Sequence, residues 1–237
     1  MSKLNRYPSM VAEVLLAVII AILCSCNSTS THPESPIIDM SSTSSVAPAT
    51  QLPTPARNDA PSAAEVKAAL ARVFADDVVI PMGSENKVLE GDFNGDGSVD
   101  LAVVVRPTAS KLQDVNSQVA NWTIQNPHHA FIPPRNKSVV RLPPSPAPES
   151  ITSDELLLAV IHGTGSQGWR DSGARQAFLL RHAAGTDMQV ASPSPKLKHD
   201  IGAFAAPAND VVAETLAGIS GVLYWTGAGY AWHPELR

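Results

Sequence analysis

Three aspartates and an asparagine occupy positions 1, 3, 5 and 9 of one short stretch. They are Asp92, Asn94, Asp96 and Asp100 in Gly91-Asp-Phe-Asn-Gly-Asp-Gly-Ser-Val-Asp100. Oxygen donors at this spacing can converge in a tight loop on a hard cation, and Ca²⁺ takes about six to eight oxygens at about 2.3–2.6 Å. The Ser98 carbonyl, at position 7, adds a backbone ligand, and Gly97 at position 6 suits the sharp turn such a loop makes. A hairpin turn alone accounts for Asn94-Gly95 and Asp96-Gly97. It does not account for three carboxylates whose mutual repulsion a cation relieves. The spacing therefore predicts a Ca²⁺ loop with Asp92, Asn94, Asp96, Ser98 and Asp100 as ligands.

The flanking residues predict strands. Leu101-Ala-Val-Val-Val105 is short, apolar and rich in β-branched residues, as a buried strand is. Val88-Leu89 leads in from the other side. Position 12 is Val103, where helix–loop–helix sites carry a bidentate Glu, so Asp100 takes the late-ligand role. In this form Gly-Asp-Phe-Asn-Gly-Asp-Gly-x-x-Asp-Leu-Ala-Val resembles the calcium loops of FG-GAP repeats, the integrin alpha-subunit type. That resemblance implies a β-loop-β site with the same four side-chain ligands. There is no second copy, and the chain is too short for seven propeller blades of about 40–50 residues each.

Residues 1–26 read as an export signal. Lys3 and Arg6 precede an unbroken apolar run from Val14 to Leu23. That run is shorter than the roughly 20 residues a membrane span needs and suits a signal core. Leu23-Cys24-Ser25-Cys26 resembles the lipobox of bacterial lipoproteins, which implies acylation of Cys26. By the same family's sorting rule, Asn27 after the acceptor implies the outer membrane, with the domain facing the periplasm or the cell surface. Cys24 and Cys26 are the two cysteines of the chain. A processed protein then keeps one, acylated, and has no disulfide or thiol chemistry. Residues 27–61 contain 18 Ser, Thr or Pro and lack aromatics. They cannot bury enough apolar surface to offset ordering, and read as a disordered tether.

Residues 62–237 read as a single globular domain. Ser62-Ala-Ala-Glu65 has the form of a capping box before a helix over 63–74, with Val66, Leu70, Val73 and Phe74 at helical spacing. Short apolar runs at 78–80, 101–106, 156–162 and 176–181 predict strands, and 221–233 predicts a hairpin turning at Thr226–Gly229. Residues 119–124 fit a strand or a helical turn. Proline-rich inserts are expected near 107–150 and 191–200. The fold class is α+β, an N-terminal helix on a mostly antiparallel sheet of about six to eight strands.

Other chemistry is less well supported. Gly163-Thr-Gly-Ser-Gln-Gly168 lacks the Gly-Lys-Ser/Thr of a phosphate loop. It also has Thr164 where a nucleophile elbow needs Gly. His162, Ser166 and Asp171 could form a hydrolytic cluster only if the fold brought them together. Otherwise Trp169 covers the core edge or anchors a contact, and the adjacent His128 and His129 read as loop histidines. Net charge is −5, and losing the +1 signal segment (Lys3, Arg6, Glu13) leaves −6. With no basic stripe, nucleic acid is not an expected partner. The expected function is a lipid-anchored envelope protein with a Ca²⁺-stabilised binding or structural domain, its partner a protein or glycan.

Overall fold

In this computed structural model, residues 60–84, 87–132, 148–201 and 209–235 are described. The expected export signal, the lipobox-like segment with Cys26 and all but the last two residues of the expected tether lie outside them. The described residues all belong to one unit, Thr50–Arg237.

Helix α1, Ala63–Phe74, begins at Ser62, whose hydroxyl accepts the Glu65 amide while the Glu65 carboxylate accepts the Ser62 amide. The exchange satisfies amides that a helix start leaves without partners. Val66, Ala69, Leu70, Val73 and Phe74 form its buried face.

The chain then builds β1 (Val78–Val79), β2 (Val88–Gly91), β3 (Asp100–Pro107), a four-residue helix α2 (Leu112–Val115), β4 (Trp122–Gln125), β5 (Leu157–Ile161) and β6 (Ala177–Arg181). These strands make a six-stranded sheet ordered β1-β3-β5-β6-β4, with β2 also on β3. β1 takes Arg106 and Pro107 of β3, and β2 takes Asp100 to Val103. Every pairing is antiparallel except β4 with β6. A second sheet follows from β7 (Thr186–Ala191), helix α3 (Pro195–Ile201), β8 (Val211–Leu216), β9 (Ile219–Trp225) and β10 (Tyr230–Pro234). Its four strands are antiparallel, in the order β10-β9-β8-β7.

The side-chain alternation of β3 and β5 explains why both strands are apolar throughout. Leu101, Val103, Val105, Leu157, Ala159 and Ile161 join the face of α1 in one buried cluster. Ala102, Val104, Leu158 and Val160 face the other way, into a cluster with Val212, Leu223 and Tyr230 of the second sheet. The first sheet is thus a middle layer covered on both faces, and such strands read as continuous apolar runs. The opposite face of the second sheet packs Val211, Val222, Tyr224 and Ala231 around Leu197 of α3.

The α+β class and the mostly antiparallel pairing agree with expectation. The single sheet does not: among the described residues, ten strands form two sheets. The strands not anticipated are β7, an edge whose residues are largely exposed or half-buried, and β8, where Glu214 faces inward in a run that reads as mixed. The expected loose insert at 191–200 contains α3, with Lys196 bridging Asp200 one turn on. Trp122–Gln125 resolves the 119–124 ambiguity in favour of a strand.

Candidate metal centre

Gly91 and Asp100 are register partners, so residues 92–99 form the connection of the β2–β3 hairpin. Phe93 is buried and plants the loop in the core shared by the two sheets. Gly95 and Gly97 hold φ of 79° and 84°, a region where side-chain-bearing residues are strained. A Cβ on Gly95 would also run into the Asn209 side chain.

The loop is tied by its own acidic side chains. Asp92 Oδ1 accepts the Gly95 and Asp96 amides at 2.7 and 3.2 Å, and its Oδ2 accepts Gly97 at 3.0 Å. Asn94 Oδ1 accepts the Asp96 amide, and Asn94 Nδ2 donates to Asp96 Oδ2, both at 3.0 Å. Asp96 Oδ1 takes the amide of Ser98, a buried residue, at 2.7 Å. Burial pushes the Asp96 carboxyl up, but the bonds from Asn94 and Ser98 outweigh it and hold the group below its usual range.

Asp100 is different. It is fully buried, its Oδ2 accepts the Phe93 and Asn94 amides at 2.8 and 3.1 Å, and its Oδ1 accepts Gly163 at 2.7 Å. Burial pushes its carboxyl up to about 7 against the pull of those three amides.

Two distant segments clasp this loop. On one side is the glycine-rich stretch after β5. The Trp169 amide donates to Val99 O at 2.7 Å, and Gly163 and Gly168 press so close to that carbonyl that neither has room for a Cβ. On the other side, just before β8, Asp92 and Asp210 exchange bonds. Asp92 N donates to Asp210 Oδ2 and Asp210 N to Asp92 O, each at 3.0 Å. Asn209 Nδ2 adds a bond to Phe93 O at 2.9 Å. The only sequence signal for these two residues is a polar pair immediately before the apolar Val211-Val212.

The donor set suits a hard divalent cation. Asp92, Asn94 and Asp96 bring carboxylate and amide oxygens to alternate positions of one turn, and each carboxylate has about four lone-pair sites, more than these amides use. The side chains do not form a ready-made cage. Among the described residues, no three His, Cys, Asp or Glu side chains converge closely enough to hold an ion. Asp100 in particular is turned to the backbone amides that surround it.

The hydrolytic trio is not assembled. His162 is buried, its Nε2 lies 2.8 Å from Tyr230 Oη, and its ring packs against both Phe178 and Trp225. Burial lowers its pKa, and its Nδ1 has no hydrogen-bond partner among the described residues. Ser166 is exposed, and Asp171 Oδ1 accepts the Gly173 amide within its own turn. No hydrogen bond joins any two of the three among the described residues. Trp169 is 1% exposed, so it covers the core and is not available as a contact anchor. Its Nε1 donates to Glu90 at 2.6 Å, and Arg170 lies over its ring while pairing with Glu65 and Glu90. His128 and His129 turn to different partners, the His182 carbonyl and Glu149.

Comparison with protein-family models, with curated proteins and with solved structures finds no match to this chain. None of the described helices is long and apolar enough to cross a membrane.

Proposed function

We propose that this chain is a lipid-anchored protein of the bacterial cell envelope whose domain is a Ca²⁺-stabilised binding or structural module. The observation that carries the reading is the position of the 92–100 loop. Its oxygen donors stand at a junction where the first sheet, the 163–169 stretch and the 209–210 segment all meet. An ion held by Asp92, Asn94, Asp96 and the Ser98 carbonyl would neutralise the loop's crowded carboxylates and brace all three segments. Asp100, as a ligand, would brace them from inside. The binding free energy then appears as folding stability.

The anchor rests on Cys26 and the lipobox around it, and the partner of the module is an envelope protein or glycan. The deciding experiment is thermal melting of the full-length chain in chelator and in calcium, for the wild type and for Asp96→Ala. A calcium-dependent rise that Asp96→Ala removes supports the reading, and identical melting in both conditions overturns it.

A further inference from the structure

Away from the metal loop, one buried carboxylate stands without a partner. Asp77 follows the last turn of α1 and is 8% exposed. Its backbone is engaged, the amide donating to Phe74 O at 2.9 Å and the carbonyl accepting Thr108 N at 2.8 Å. Its carboxylate accepts no hydrogen bond and forms no ion pair among the described residues. Lys111 is shared between Asp76 and Asp114, at 3.5 and 3.6 Å, and does not reach Asp77 at ion-pair distance. Burial pushes the Asp77 carboxyl up, the charges of Asp114 and Asp76 push it the same way, and Lys111 only partly opposes them. A carboxylate withdrawn from water without a partner is costly, and this one lacks a counter-charge from the protein.

Asp77 lines a cleft of about 330 Å³ at the end of α1, together with Asp114 and Trp122. That volume falls in the range of small-molecule sites. Arg72 also lines it, but its Nη2 donates to Trp169 O at 2.6 Å. The remaining wall suits a cation with a short apolar tail. Trp122 is half-buried, its Nε1 fixed to Val115 O at 3.0 Å and its ring centroid 5.3 Å from that of Phe74. An aromatic face attracts an ammonium group, and the C-terminal end of α1 carries the partial negative charge of the helix.

We propose that this cleft binds the primary ammonium group of a small alkylamine, with Asp77 and Asp114 accepting its N–H bonds and the Trp122 ring against its alkyl chain. An ammonium group carries three donors, so it can serve both carboxylates at once. Each such bond is charge-assisted, and the cation relieves the repulsion between the two acids.

The test is calorimetric titration of the full-length chain with n-butylammonium chloride, in excess calcium so that the acidic loop does not serve as a second cation site. Saturable binding is expected with Kd on the order of 10⁻³ M, within reach of a ligand of this size. The neutral analogue n-butanol should bind at least about tenfold more weakly, and Asp77→Asn should weaken the amine about tenfold, the loss of one charge-assisted bond. The indole N–H resonance of Trp122, assigned by its loss in Trp122→Phe, should shift as the amine saturates. Circular-dichroism melts check that the variants fold. If Asp77→Asn does not fold, Asp114→Asn decides in its place, because the Asp114 side chain is 60% exposed. Absence of saturable binding, equal affinity for n-butanol, or amine binding unchanged in the deciding Asp→Asn variant overturns the proposal.

Discussion

The Gly163 amide donates to Asp100 Oδ1 at 2.7 Å across 63 residues of sequence. This bond joins the two motifs that stand out in the chain, the acidic loop and the glycine-rich stretch. It also gives the glycines a structural reason. A Cβ on Gly163 would collide with Val99 O, and one on Gly168, at φ 58°, would lie 2.5 Å from the same atom. Gly163→Ala should therefore destabilise the domain by about 1–3 kcal/mol, the usual cost of overpacking. Ser166→Ala, on the exposed turn of the same stretch, should stay within about 0.5 kcal/mol. Urea unfolding of both variants measures the contrast, and equal losses would contradict this role for the glycines.

Calcium should raise the melting temperature by a bounded amount. Sites in extracellular modules bind at Kd on the order of 10⁻⁴–10⁻³ M. At about 10⁻⁴ M, roughly 2 mM calcium adds about 1.8 kcal/mol, a shift of about 4–7 °C for a domain of this size. Magnesium should do much less, because it demands a tighter octahedron and gives up water reluctantly. A magnesium shift as large as the calcium one would mean a general charge effect rather than a fitted site.

Glu214 should make stability fall as pH rises. It is buried, its Oε2 accepts the Gly185 amide at 2.8 Å, and its Oε1 has no partner among the described residues. Burial pushes its carboxyl from 4.5 up to about 7. Between those values the unfolded chain ionises while the folded one keeps its proton, so the native state loses ground throughout that window. The accumulated loss above pH 7 is about 3 kcal/mol. Glu214→Gln should remove this residue's share of the fall, leaving that of Asp100, whose carboxyl burial also pushes up to about 7, and gain up to that amount at pH 8. Parallel wild-type and variant profiles from pH 4 to 8 would show that the carboxyl ionises freely in the fold.

Cys26→Ala should abolish incorporation of a fatty-acid analogue and move the protein from the membrane to the soluble fraction. Undiminished labelling, or membrane association that survives the change, would remove the basis for an anchor at this residue.

What could be read from the sequence depended on whether a signal was local. β3 and β5 are legible because burial on both faces demands apolar residues at every position. The loop is legible because its donors lie within nine residues of one another. β8 is obscured by Glu214, a carboxylate facing the core in a run that should otherwise alternate. The clasp of Asn209 and Asp210 has no local signature, since a polar pair before a strand is ordinary. Its meaning depends on Asp92, 118 residues earlier. His162 reads as a catalytic candidate by its place after a strand, and only the folded chain reveals the Tyr230 hydroxyl that engages it.

The reciprocal bonds between Asp92 and Asp210 have a consequence for the order of synthesis. A ribosome adding about 5–20 residues per second needs roughly 6–24 s to travel from one to the other. Late in that interval, once β6 is complete at Arg181, every strand of the first sheet has been made while one flank of the acidic hairpin still lacks its clasp. The hairpin is closed only when the last strands emerge, so a nascent chain cut short before Asn209 would carry every acidic donor of the loop and lack the segment that holds it shut.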